Sequence, residues 1–186
     1  MKRNPAEMAL SLGFDHAQLI TCDQISLSRT FRDQCAVNAC GVYGKCWMCP
    51  PDIGEIDALM EEVRRYPVGL LYQSIHQLED SFDFEGMQEG GHRHSENSRL
   101  LDDALRKEGY EGFLHLSKGG CGICRPCAKV VGQPCRFPEK ALSSLEAYGV
   151  NVSATAKNAA MKYINGVNTV TYFGLILFKE NDPCAN

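Results

Sequence analysis

Eight of the ten cysteines in this 186-residue chain fall into two groups of four. The first is Cys35-x4-Cys40-x5-Cys46-x2-Cys49, which runs through CGVYGKCWMCPP. The second is Cys121-x2-Cys124-x2-Cys127-x7-Cys135, set in GGCGICRPCAKVVGQPCRFP. Such spacing restricts the folds open to the chain, because each group has to ride on a loop that turns its thiols inward. The rest of the chain is ordinary. With 44% hydrophobic and 23% charged residues it has a globular balance and the length of one domain, 1–186. A domain of this size buries enough surface to need no covalent staples.

Compartment decides what clustered cysteines do. Residues 1–19 carry positive charge but no sustained apolar stretch, since Pro5, Glu7, Gly13 and Asp15 interrupt it. The longest uncharged run, 163–178, contains Asn165, Gly166 and Asn168 and falls short of the ~20 apolar residues of a spanning helix. These features point to a cytoplasmic protein with no membrane association. There thiols stay reduced, and grouped cysteines serve as metal ligands in preference to disulfides. Nineteen basic against 23 acidic residues, a net charge of -4, argue against a nucleic-acid partner.

Spacing then bears on which metal. Cys121, Cys124 and Cys127, at successive x2 gaps, wrap one tight loop, so that three thiolates meet three corners of an iron–sulfur cube. In the bacterial ferredoxin run, the fourth cysteine is followed by Pro and ligates the other cluster. Cys49, followed by Pro50, has that form. Glycines before Cys121 and around Cys40 let backbone N–H groups approach a cluster's sulfurs. Zinc is the rival: Cys46-x2-Cys49 and Cys121-x2-Cys124 are each valid knuckles. Zinc accounts less well for Cys127, and the 71 residues separating the knuckles exceed the roughly 15–20 of a zinc ribbon. Eight thiols fit one or two 4Fe–4S clusters, each group closed on itself or exchanging a ligand, or one cluster plus one zinc. Cys22 reads as a small buried hydrophobe in an apolar strand, and Cys184 as an exposed residue of a polar tail.

Hydrophobic periodicity supplies the scaffold. Short helices are expected over 4–13 and 27–34, and a strand over 17–22. Ile56, Leu59, Met60 and Val63 mark one face of a helix that Asp52 and Glu55 would cap and Pro67 would end. Residues 68–75 and 169–178 are rich in β-formers and read as strands, with a shorter one over 113–116. The acidic, Gly-rich stretch 79–97 reads as a mobile loop leading into a helix over 98–107. Further helices are expected over 138–148, with Pro138 at its start, and over 153–163. Strands separated by helices imply an α/β (or α+β) fold: a sheet of about four strands, helices, and two cysteine-rich metal-binding loops.

YGKCWMCPP, GGCGICRPC, GQPCRFPEKALSSLEAYGVNV and the closing FGLILF together resemble the uncharacterised family known as domain of unknown function 2284, labelled predicted metal-binding protein. The resemblance spans about 35–178. It implies metal binding through Cys35, Cys40, Cys46, Cys49, Cys121, Cys124, Cys127 and Cys135, and it implies no established reaction. Cys22, Cys184 and the GGHRH segment lie outside the resemblance.

Other residues carry weaker signals. His92 and His94 in a loop would be solvated, or would shuttle protons or bind a metal or an anionic substrate. His16, His76 and His115 read as structural. Tyr43, Lys45 and Trp47 either pack around the first loop or shield a cluster and place a positive charge by it. Arg125 and Arg136 sit beside cysteines and suit the docking of an acidic redox partner, with Glu139 an alternative mate for Arg136. No nucleotide-binding glycine loop and no G-x-S-x-G elbow is present. The leading expectation is an iron–sulfur protein in electron transfer or a redox accessory role, with a redox partner protein or small molecule. An iron–sulfur enzyme with substrate at an open iron comes second, and a zinc-stapled interaction module third.

Overall fold

The computed structural model describes residues 2–179. Its centre is a pair of ten-residue strands, β2 (Val68–Gln77) and β5 (Thr169–Phe178), antiparallel from Val68↔Phe178 to Gln77↔Thr169. On one side β1 (His16–Thr21) pairs antiparallel with β2. On the other, β3 (Leu114–Ser117) pairs antiparallel with β5, and the two-residue β4 (Ser143–Ser144) lies parallel to β3. The order β1-β2-β5-β3-β4 makes a mixed five-stranded sheet. With the five α-helices it gives an α+β fold, one strand beyond the four expected.

Alternation along the central strands explains the layers. Leu71, Phe173, Leu175 and Leu177 face a core completed by Leu59 and Val63 of α3 (Ile56–Arg64), by Leu145 and Tyr148, and by Val152 and Ala156 of α5 (Val152–Asn158). Leu70, Tyr72, Ile176 and Phe178 face the opposite side. There they meet Met8 and Ala9 of α1 (Pro5–Ser11) and Leu101 and Leu105 of α4 (Phe84–Lys107). A strand covered on both faces reads as an apolar run, as Val68–Tyr72 of β2 and Phe173–Phe178 of β5 do.

Four local expectations are corrected. Residues 84–97 are the first half of α4, a 24-residue helix capped by Asp83, whose side chain accepts from Gly86 N. Gly90 and Gly91, which made this stretch look like a loop, are where the helix lies closest to the sheet. A Cβ at Gly90 would sit 2.7 Å from the His76 ring, and one at Gly91 would sit 2.8 Å from Lys118 Nζ. Next, 138–148 is no helix: Ser143 and Ser144 pair with Leu116 and Ser117, and only Glu146–Tyr148 coils, as a 3-10 turn. The helix after it stops at Asn158, because Ala160 turns left-handed (φ 54°). Lastly, Glu55 is the N-cap of α3 without a side-chain cap bond, and the carboxylate of Asp52 is engaged elsewhere by Lys129. Cys22 lies just past β1 in a half-buried 3-10 turn, and Cys184 lies outside the described residues.

Candidate metal centre

Apart from Cys35, the cysteines of both groups sit on irregular chain. Cys35 is in the last turns of α2 (Thr30–Val37), which ends at left-handed Asn38. The loop beyond it is closed by Gly44 N donating to Pro50 O at 2.9 Å, and by Cys49 N donating to Cys46 O at 3.0 Å across the x2 gap. The second group follows β3. Cys127 caps a 3-10 turn, Ala128–Val131, and Val130 N donates to Cys127 O at 3.0 Å. Two contacts clasp the loops together. Trp47 Nε1 donates to Gln133 O at 2.9 Å, and Lys129 lies 4.3 Å over the Trp47 ring while pairing with Asp52. The cation beside Trp47 is therefore Lys129; Lys45 is exposed.

Folding brings thiols from both groups to one place. Cys46, Cys121, Cys124, Cys127 and Cys135 line one narrow cavity, roofed by Trp47, Ile123 and Phe137. Cys46 is the joint. A hydrogen bond from Cys49 pulls its thiol down to about 5 against the opposing effect of burial, helped by the N–H groups of Cys121 and Met48 and by the Cys127 thiol. Cys49 is pushed the other way, since it shares its proton with Cys46, is buried, and feels Cys46, Cys40 and Cys35. Burial, Glu146 and Cys40 raise the Cys35 thiol; burial raises that of Cys121. Cys35, Cys40 and Cys49 lie outside the lining of that cavity, although Cys49 is linked to it through Cys46. Among the described residues, no three Cys, His, Asp or Glu side chains close to the spacing of a single-ion site. The donor set nonetheless suits a sulfur-ligated centre, because the cysteines gathered there offer only thiols.

The model of a family described as predicted metal-binding protein (DUF2284) matches residues 18–178. The chain belongs to the DUF2284 family. No curated protein and no solved structure matches it. For this DUF2284 chain the family description points to metal binding.

Two further arrays depend on α4, and the second shares Cys121 with the centre. The first is a buried polar chain. His115 Nδ1 lies 3.0 Å from Asp102 Oδ2 and its Nε2 2.7 Å from the Tyr72 hydroxyl, which donates to Ser98 Oγ at 2.9 Å. Ser98 Oγ lies 3.1 Å from Ser117 Oγ. Burial keeps His115 neutral even against the pull of Asp102. Burial raises the Asp102 carboxyl, yet His115 and Arg106 together hold it below its usual value. His94 is buried too, with Nδ1 2.7 Å from Ser74 Oγ; burial, Lys118 and His76 push it down to about 3. His92 is exposed and pairs with Glu96 at 3.2 Å, so the two histidines of the GGHRH segment have opposite settings.

The second array is a cavity of about 140 Å³ where α4 meets the loop after β3. Arg99, Lys118 and Arg125 line it with Gln88, His92 and Ser95, and Cys121 forms part of its wall. Burial lowers the Lys118 ammonium, with Arg125 and Arg99 adding to the shift. Gln88, His92, Ser95 and Arg99 recur at i, i+4, i+7 and i+11, which is one helical face. That periodicity was available to reveal the array, but it has meaning only once 84–97 is helical. Arg136 is exposed and makes no ion pair among the described residues.

Among the described residues no helix is long and apolar enough to cross a membrane.

Proposed function

We propose that this DUF2284 chain is an iron–sulfur protein of the reducing cytoplasm. It would act as a single domain, 1–186, in electron transfer or as a redox accessory to a partner protein or small molecule. The observation that carries the reading is the convergence of five cysteines, from groups 71 residues apart in sequence, on one cavity. Cys46, Cys121, Cys124 and Cys127 would hold a 4Fe–4S cluster there, with Cys135 at its edge. Cys35, Cys40 and Cys49 would serve a second. When bound, such a cluster supplies reversible one-electron chemistry. Trp47, Ile123 and Phe137 keep water from the sulfurs, and the Lys129–Asp52 pair holds the two loops in register. A second reading, an iron–sulfur enzyme with substrate at an iron lacking a thiolate, is favoured by the cationic cavity that shares Cys121.

Anaerobic purification with iron, zinc and acid-labile sulfide counted on one sample tests the proposal. About four iron and four sulfide per cluster are expected, with visible absorption that bleaches on reduction and an EPR signal in the reduced state. Stoichiometric zinc without sulfide would replace the redox reading with a structural zinc site.

A further inference from the structure

The cavity between α4 and the loop after β3 collects three cations and no carboxylate. Among the described residues Arg99, Lys118 and Arg125 enter no ion pair, although acidic residues outnumber basic ones in the chain. Three like charges brought together without a counter-charge repel one another and destabilise the loop that carries two of them. The surroundings hold them there all the same. Lys118 Nζ is fixed 5.4 Å over the Tyr172 ring, and the Tyr172 hydroxyl is itself anchored, donating to Met87 O at 2.6 Å. Gly91 leaves room for the Lys118 side chain along α4, where a Cβ would lie 2.8 Å from the ammonium. At roughly 30 Å³ per water, the cavity has space for a compact group of a few heavy atoms. Guanidinium groups offer paired N–H donors that match carboxylate and phosphate oxygens, and a lysine adds a point charge. Gln88 contributes a neutral amide donor on the same wall, while the Ser95 hydroxyl donates to Gly91 O at 3.0 Å.

We infer that this cavity binds a small, multiply charged oxyanion, a phosphate or a short dicarboxylate, between Arg99, Lys118 and Arg125 and against the cysteine centre at Cys121. The inference names the substrate class of the proposed cluster site, and it rests on that reading only for the anion's neighbour. The competing role for the three cations is to offset the charge of the thiolates themselves, in which case no further anion is held.

The test uses anaerobically purified full-length protein with its metal and sulfide counted. Inorganic phosphate and malonate are titrated separately by calorimetry at constant ionic strength in chloride. One saturable site per chain is expected for at least one of them, and the tighter of the two tells phosphate from dicarboxylate. Lys118→Met and Arg99→Gln should each weaken binding by at least ~10-fold with metal content unchanged. Arg93→Gln, which removes an exposed cation paired with Glu89, should leave binding as it was. Absence of saturable binding for both anions overturns the inference, as does an equal loss in Arg93→Gln. Should Lys118→Met fail to fold, Arg99→Gln on the half-exposed helix face carries the same comparison. Phosphate or malonate binding by protein that holds zinc, or no sulfide, sustains the anion site and removes the cluster reading alone.

Discussion

The sheet with its helices and the cysteine end are ordered by different forces. In the sheet, Leu70, Leu71 and the run from Leu175 to Phe178 have no exposed surface, and β2 and β5 pair along their full lengths. At the cysteine end Val37, Val130 and Val131 are 77%, 53% and 57% exposed, and burial is confined to residues such as Cys46, Cys49 and Ala128. One region buries apolar surface on its own. The other brings thiols together and leaves apolar side chains in water, so its order rests on loop hydrogen bonds, on the Trp47 and Lys129–Asp52 contacts and, on the proposed reading, on what the thiols would hold. In small metal sites the free energy of binding the metal is the free energy of folding the loops.

Metal removal should show the contrast most strongly. After chelation under reducing conditions, hydrogen exchange should quicken at least ~10-fold for amides in the two cysteine loops, Gly44, Cys49 and Val130 among them. Amides of β2 and β5 should change by less than ~2-fold. Equal acceleration in both regions would mean that the two are one cooperative unit and that the contrast is wrong.

The reverse perturbation starts in the core. Leu175 is fully buried in the face that meets Leu71 and Leu145. Leu175→Ala should cost about 2–5 kcal/mol and lower Tm by roughly 4–20 °C. Metal content per folded chain should not change, and loss of metal in step with stability would sink the independence of the two regions.

The same division governs how far the fold was legible in the sequence. The β2 and β5 strands were legible because each carries an apolar stretch rich in β-formers, 68–72 and 173–178, and 169–178 was read to the residue. The cysteine pattern announced its chemistry because ligand spacing is local. Where tertiary contact overrides local preference, the reading fails. Gly90 and Gly91 signalled a loop, yet they serve a close approach of helix to sheet that a single sequence does not display. Pro138 signalled a helix, yet Ser143 and Ser144 complete the sheet edge beside β3. Reading the first half of α4 as a loop hid the Gln88–Arg99 face and with it the cationic cavity. That Cys46 joins the second group, where Cys49 was expected as the shared ligand, depends on how the loops cross, and spacing does not encode the crossing.

A smaller effect sharpens the boundary inside the cysteine end. Asp52 and Lys129 come from different loops, and Asp52 Oδ2 already has no partner. Lys129→Met should cost about 1–3 kcal/mol by leaving the half-buried carboxylate unpaired. The accompanying rise in exchange should be confined to the loops. Adding Asp52→Asn should recover part of the loss in a double-mutant cycle. A Lys129→Met protein whose loops exchange like wild type would show that the clasp is incidental.

The polar chain inside the body gives the last test, and its sign follows from burial. His94 falls from an ordinary 6.5 to about 3 because it is buried, with Lys118 and His76 nearby disfavouring the cation. Its ring stacks on Tyr72 at 5.6 Å and meets Phe14 edge-on at 5.4 Å, which leaves no room for a hydration shell. Below about pH 6.5 the unfolded chain takes up a proton there that the folded chain refuses. Stability is therefore lost as pH falls, by up to about 1.4 kcal/mol per pH unit, until about pH 3, where the folded state accepts the proton as well. His115 acts in the same direction, and the cysteine thiolates contribute their own acid sensitivity. The difference between wild type and His94→Gln removes both contributions. Denaturant titrations at pH 7, 6 and 5 should show the variant less stable at pH 7, having lost the bond to Ser74, but with a shallower decline below pH 6.5. Parallel declines would mean that His94 is protonated inside the fold, and the body would then hold a buried charge where the structure places a neutral ring.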